Sequence, residues 1–328
     1  MKAFNFDEPT ERRGTGSYKW DSADADVIPL WVADMDFRTA PCIIEALSDR
    51  VRHGVFGYEK VPDAWYEALQ GWFARRHGWQ IRREEVLCTT GVVPAVSAVI
   101  KAFTRPGDGV ALMTPAYNCF FSSIRNNGCF AAETSLLMGD AGWTIDFAAL
   151  EKTLADPRVK VLLFCSPHNP VSRVWTKEEL CQAAEICKKH GVIMIVDEIH
   201  CDFVYEGYHH TSFGTLSEYA DNAVICTAPS KTFNLAELQL SNIMIPNPEL
   251  RKTFQAEMDK VFYSDANLFG QVSCQAAYEY GAQWLDELRV YLQGNITYIR
   301  DYLAEHLPKV HLIEPEGTYL LWADFREY

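Results

Sequence analysis

Three side chains of this sequence carry complementary chemistry at the ends of apolar runs. Lys231 lies in Pro229-Ser230-Lys231-Thr232-Phe233-Asn234, just after Val224-Ile225-Cys226. Asp197 closes the run Val192-Ile193-Met194-Ile195-Val196, and Asn169 follows Val161-Leu162-Leu163-Phe164. A buried lysine favours its neutral form, and the neutral amine can attack an aldehyde to form an imine. A carboxylate keeps a proton on a nearby ring nitrogen, because an opposite charge within reach favours the cation. An amide side chain can donate to a ring hydroxyl oxygen. Amine, acid and amide are together the parts needed to hold and use pyridoxal 5′-phosphate (PLP), whose protonated pyridine accepts the electrons of a carbanion at the substrate Cα. Taken singly, each residue has a bland reading: a loop lysine, an acid that ends a strand, an amide in a turn. Their order at three successive strand ends is what favours the chemistry.

Other groups fit around this set. A phosphate needs backbone N–H groups at a helix start. Thr89-Thr90-Gly91-Val92-Val93 joins a strand to a helix and offers those of Gly91, Val92 and Val93, and Ser230 adds a hydroxyl. Such a strand–helix turn is a weak signal alone. Tyr117, in Thr114-Pro115-Ala116-Tyr117-Asn118, can cover the ring or simply pack in the core. His200, three positions after Asp197, reads either as a structural histidine or as a group reaching the cofactor's ring hydroxyl or the substrate. Tyr58, in Phe56-Gly57-Tyr58, carries no local signal. His209-His210 has no metal-like partner set and reads as a solvated loop. Once released from the cofactor, the Lys231 amine can act as the base at Cα.

These side chains need a frame. The spacing of Ile43, Ile44, Leu47 and Val51 predicts a helix from Pro41, and a second amphipathic stretch runs through Trp65, Leu69 and Trp72 to Gly78. Strands and helices then alternate. Strands are expected at Val86–Thr89, Gly109–Met113, Val161–Cys165, Val192–Val196, Ala223–Thr227 and Ser241–Ile245, with helices at 92–103 and 177–190. Apolar strands spaced by helices imply a mainly parallel sheet covered on both faces, with the ligand outside the strands' carboxyl ends. A long helix is expected over 282–307, followed by strands at 310–313 and 318–322. The chain divides into an N-terminal segment (1–45), a large cofactor-binding domain (46–281), and a linking helix with the start of a small domain (282–328).

Composition narrows the function classes. The 328 residues are 48% hydrophobic with a formal net charge of −14, enough for a large core and without a basic block for nucleic acid. No apolar run reaches the ~18 residues that span a membrane. The 10 cysteines are scattered, with no C-x-x-C pair. That is the pattern of a reducing compartment rather than a disulfide framework or zinc site, so a cytoplasmic protein is expected.

Longer strings resemble a known family. Pro29-Leu30-Trp31-Val32-Ala33-Asp34-Met35-Asp36-Phe37, Pro167-His168-Asn169-Pro170, Asp197-Glu198-Ile199-His200 and Ala228-Pro229-Ser230-Lys231-Thr232-Phe233-Asn234 are similar to those of fold type I PLP enzymes. The family is the class I/II aminotransferases, and within it the cystathionine β-lyase-like (C–S β-lyase) subgroup. The resemblance covers essentially the whole chain. It implies an α/β fold with a mostly parallel seven-stranded sheet, a smaller α/β domain built from both chain ends, and a homodimer with interface active sites. It implies Lys231 as the cofactor lysine, Asp197 and Asn169 as ring partners, Gly91, Val92, Val93 and Ser230 as the phosphate cradle, and Tyr117 as the stacking ring. Tyr58 matches a tyrosine that reaches the neighbouring subunit's phosphate. The implied reaction is α,β-elimination of cystathionine or a cysteine S-conjugate to a thiol, pyruvate and ammonia. The rivals are an aminotransferase on the same fold and a non-catalytic PLP-fold protein.

Three departures bear on those rivals. Ser172 and Glu237 stand where the family has glycine, which often marks a positive φ or a close approach. Both are expected to strain the site, and Glu237 to bring negative charge near the phosphate. The family pattern also continues past Tyr328 with an arginine that grips the substrate carboxylate. The C-terminal part of the small domain is therefore expected to be missing, and no residue here takes the arginine's role.

Overall fold

The apolar runs become strands because aliphatic side chains on both faces of each strand must be covered. The computed structural model describes residues 4–139, 142–261 and 266–328, so residues 1–3 of the expected N-terminal segment lie outside the described residues. In chain order the strands are β1 (Val86–Thr89), β2 (Gly109–Thr114), β3 (Phe130–Ser135), β4 (Leu137–Gly139), β5 (Gly142–Thr144), β6 (Val159–Cys165), β7 (Ile193–Asp197), β8 (Ala223–Thr227), β9 (Ser241–Met244), β10 (His311–Ile313) and β11 (Trp322–Asp324). Seven of them form one sheet in the order β1-β9-β8-β7-β6-β2-β3. Strand β9 runs antiparallel to β1 and β8, and the other pairings are parallel. Two hairpin-like pairs, β4–β5 and β10–β11, stand apart from it.

Alternate side chains of the central strands enter two separate cores. Leu162, Phe164, Met194, Val196 and Ile225 face one layer, with Trp175, Leu180 and Ala183 among their neighbours. Val161, Leu163, Cys165, Ile195, Val224 and Cys226 face the other, against Val92, Val96 and Val99 of the helix Val92–Phe103 and Phe254 of the helix Pro248–Asp259. Local signals fix the helix ends. Thr176 caps Lys177–His190 by accepting from the Glu179 N–H, and Gly191 ends that helix at φ 66°. The long helix Ala282–His306 follows the sheet domain.

The strand register decides where the chemistry goes. Cys165 pairs with Asp197, and Asp197 pairs with Cys226. The carboxyl ends of β6, β7 and β8 are therefore level, and the residues that follow them emerge at one edge of the sheet.

The expectation of a strand over 318–322 is not met. Thr318 adopts φ 61°, Gly317 makes an isolated bridge to Val204, and the strand begins only at Trp322. Tyr319 instead turns its ring against Phe203 at 5.0 Å, while Leu320 and Leu321 line a cavity. An apolar run read as a strand is here a bent segment whose side chains serve two surfaces. Strand β3 was not expected, because its Ala131-Ala132-Glu133 centre carries little β-branched signal. No helix among the described residues is long and apolar enough to cross a membrane.

Candidate functional site

The level strand ends open into a cavity of about 680 Å³. Lys231, Asp197, Asn169, Tyr117, Gly91, Val92, Val93, Ser230 and His200 all line it. Tyr58 does not. It is fully exposed in the stretch between the helices Pro41–His53 and Asp63–His77.

Each side chain is placed by its local backbone. Asp197 is the last residue of β7 and is buried; one of its oxygens accepts from the Ile199 N–H at 3.0 Å. Burial raises its carboxyl from 3.8 to about 7, against the opposing pull of that N–H and of Lys231. Lys231 sits in the single helical turn Pro229–Thr232 after β8, and its Nζ donates to the Ala33 carbonyl at 2.6 Å. Burial pushes the amine below its ordinary range, while Asp34 and Asp197 resist. Asn169 follows β6, its backbone N–H directed at Cys165 Sγ at 3.4 Å. Gly91, Val92 and Val93 form the start of the helix Val92–Phe103, whose first N–H groups have no intrahelical acceptor. Ser230 belongs to the same turn as Lys231. The Tyr117 ring packs edge-on against Phe120 at 5.5 Å, and burial raises its phenol above the ordinary value.

His200 is buried, and neither of its ring nitrogens has a partner among the described residues. Burial, helped by the Lys231 charge, lowers it to about 3, so the ring is neutral. A buried imidazole in a cavity wall, with both nitrogens unpaired, is suited to a ligand hydroxyl. The donor set fits PLP. It offers an amine that burial holds below its ordinary range, a buried acid, a helix start for an anion, and this unpaired imidazole around one cavity.

Ser172 does take a left-handed φ of 60°, as glycine would. Its hydroxyl, however, bonds Thr318 Oγ1 at 2.9 Å and the Leu320 carbonyl at 2.7 Å, tying the turn after Asn169 to the bent segment 317–321. Replacing Ser172 by alanine keeps the strained φ and removes both bonds. The variant is expected to unfold at lower denaturant, with a loss of about 1–2 kcal/mol. Glu237 is exposed and does not line the cavity, although Ala236 and Leu240 do.

The reading of His209-His210 as a solvated loop is half corrected. His209 is exposed, but His210 is buried with its Nε2 3.5 Å from Glu198. The same Glu198 accepts from the Ser212 hydroxyl and the Phe213 N–H, so this cluster fixes the loop after β7.

Several residues of the site carried no sequence signal. Asp202 is buried and accepts from Trp72 Nε1 at 3.2 Å and the Thr232 hydroxyl at 2.7 Å, with His77 Nε2 at 2.9 Å. Thr232 adjoins Lys231, so Asp202 anchors the turn that carries the amine. Asn234 donates to the carbonyls of Met35 and Phe37, and Tyr319 to that of Ala33. The bonds of Asn234 and Tyr319 join positions about two hundred residues or more apart, beyond the reach of any local periodicity.

Comparison with known proteins places these features in context. Residues 25–328 match the family described as aminotransferase class I and II. The chain is 42% identical to the cystathionine beta-lyase PatB of Bacillus subtilis, over 99% of this chain and 85% of that protein. Among solved structures, cystalysin of Treponema denticola, which contains pyridoxal 5′-phosphate, superposes with a TM-score of 0.95 at 38% identity, covering 99% of this chain and 84% of that one. The PLP-bound C–S lyase of Staphylococcus hominis gives 0.94 at 32% identity, covering 99% and 83%.

Proposed function

We propose that this chain, which belongs to the class I and II aminotransferase family, catalyses PLP-dependent α,β-elimination of cystathionine or related cysteine S-conjugates, releasing a thiol, pyruvate and ammonia. The observation that carries this reading is the convergence of Lys231, Asp197 and Asn169 on one cavity. Relatives at this level of identity bear the names cystathionine beta-lyase and C–S lyase. PLP, when bound, supplies the electron sink that lets a proton leave Cα and a thiolate leave Cβ.

The chain's own groups divide the remaining work. Lys231 holds the cofactor aldehyde and, once released, takes the proton from Cα through Nζ. Asp197 keeps the ring nitrogen protonated, and Asn169 holds the ring hydroxyl. The N–H groups of Gly91, Val92 and Val93, with the Ser230 hydroxyl, hold the phosphate at the helix start. Tyr117 covers one ring face. His200 donates to the ring hydroxyl or orients the substrate.

The active unit in this reading is a homodimer. Support comes from the exposure of Tyr58, Phe56, Leu30 and Trp31, since apolar surface of this kind calls for a cover. Tyr58 of a second copy would reach the phosphate. The protein is read as cytoplasmic, in keeping with ten free thiols. The segment 1–45, the PLP-binding domain 46–281 and the small-domain segment 282–328 are its proposed parts.

The test is release of pyruvate from cystathionine with no 2-oxo acid present. Stoichiometric pyruvate, thiol and ammonia are expected. An aminotransferase would instead turn over only when a 2-oxo acid acceptor is added, and that result would overturn the assignment. No turnover under either condition would favour a binding role.

A further inference from the structure

The segment Ala33–Phe37 is neither helix nor strand, yet its carbonyls are held one after another by side chains from distant parts of the chain. Lys231 Nζ and the Tyr319 hydroxyl both donate to the Ala33 carbonyl, at 2.6 and 3.2 Å. Lys19 Nζ donates to the Asp34 carbonyl at 2.8 Å, and Arg12 Nη1 to that of Met35 at 2.9 Å. Asn234 Nδ2 donates to Met35 and Phe37, at 2.8 and 3.0 Å. Arg12 and Lys19 also hold the Asp34 and Asp36 carboxylates at 2.8–2.9 Å. Asn234 lies three residues after Lys231, so one loop sets both the amine and the strip that receives it.

We propose that the Ala33 carbonyl is the docking point of the free Lys231 amine, and that Tyr319 is a positioning residue that shares this acceptor and so sets how readily the amine holds its proton. The inference rests on the PLP reading above, because only a lysine that leaves and regains the cofactor needs a place to wait. Two donors on one carbonyl compete for its lone pairs, so the Tyr319 hydroxyl leaves the Ala33 oxygen a weaker acceptor for an ammonium. Rings of Phe203 and His200 hold the Tyr319 ring edge-on, at 5.0 and 5.6 Å. The other groups facing the amine are Asp34 from the strip, Asp197 from β7, Cys119 from the helix Asn118–Asn126, and His200.

Two variants are expected to have effects of opposite sign. Tyr319→Phe leaves the carbonyl wholly to Lys231 and favours the ammonium. Asn234→Ala loosens the strip, withdraws the carbonyl and favours the neutral amine. The readout is the rate at which apoprotein mixed with PLP gains the visible absorbance of lysine-bound cofactor, followed across pH. In Tyr319→Phe the acidic limb of that profile is expected to move up by ~0.5–1 pH unit, about the worth of one shared hydrogen bond. In Asn234→Ala it is expected to move down.

A purely structural role for Tyr319 would slow loading equally at every pH, and an unmoved limb overturns the inference. So does movement of both limbs in one direction. If Tyr319→Phe fails to fold, Asn234→Ala decides alone, a downward move supporting the inference and an unmoved limb overturning it. Wild-type apoprotein that gains no such absorbance would overturn the functional reading itself, and this inference with it.

Discussion

Lys231→Ala is expected to lose pyruvate release from cystathionine by about 100- to 10,000-fold, the range that a positioned proton-transfer group supplies. Among the described residues no other amine is placed to substitute. Among the residues lining the cavity, Lys231 is the one lysine, and the neighbouring cations Arg12 and Lys19 are engaged by Asp34 and Asp36. The fold should survive, because the Nζ is held by the Ala33 carbonyl and burial already disfavours its charge. The check is a pyruvate assay beside a thermal melt. Activity near wild type in a folded variant would remove Lys231 from the mechanism.

Asp197→Asn is expected to cost on the order of 10²–10⁴-fold in kcat/KM, since removing one partner of a buried ion pair is worth about 3–5 kcal/mol. The variant also has a signature in pH. In the protein without cofactor, burial raises the Asp197 carboxyl from 3.8 to about 7. A carboxyl raised in this way contributes its full stability only below the unfolded value and loses it as pH rises through 7. A bound cationic ring nitrogen restores it, by favouring the carboxylate. The difference in Tm between cofactor-loaded and cofactor-free protein should therefore widen between about pH 4 and pH 7 and level off above it. In Asp197→Asn the widening should disappear. Melts of both forms across that range test it, and a gap that stays constant in the wild type would show that Asp197 does not face the ring nitrogen.

The part of the site that the sequence makes legible lies at strand ends. Buried parallel strands leave continuous apolar runs, so the positions of Asn169, Asp197 and Lys231 follow from Val161–Phe164, Val192–Val196 and Val224–Cys226. The register then levels them, Cys165 against Asp197 against Cys226. Gly91–Val93 is legible for a related reason, as a strand–helix turn. What stays hidden is built by long-range contacts between irregular segments. Ala33 has no periodicity to mark it, and Tyr319 reads as part of a strand that Thr318, at φ 61°, prevents. Asp202 gives no warning that it anchors Thr232 beside the lysine. The glycine-replacing Ser172 is a case where composition alone misleads. Its left-handed backbone is real, and two hydrogen bonds of its hydroxyl offset the cost. Glu237, by contrast, points out of the site and leaves the cavity lining to its neighbours.

The proposed chemistry depends on a covalent link between PLP and one amine. Protein loaded with PLP, reduced with borohydride and digested, should carry the cofactor mass on the peptide containing Ser230-Lys231-Thr232, and Lys231→Ala should carry it nowhere. Recovery of the mass on a different lysine, or none on the wild type, would contradict it.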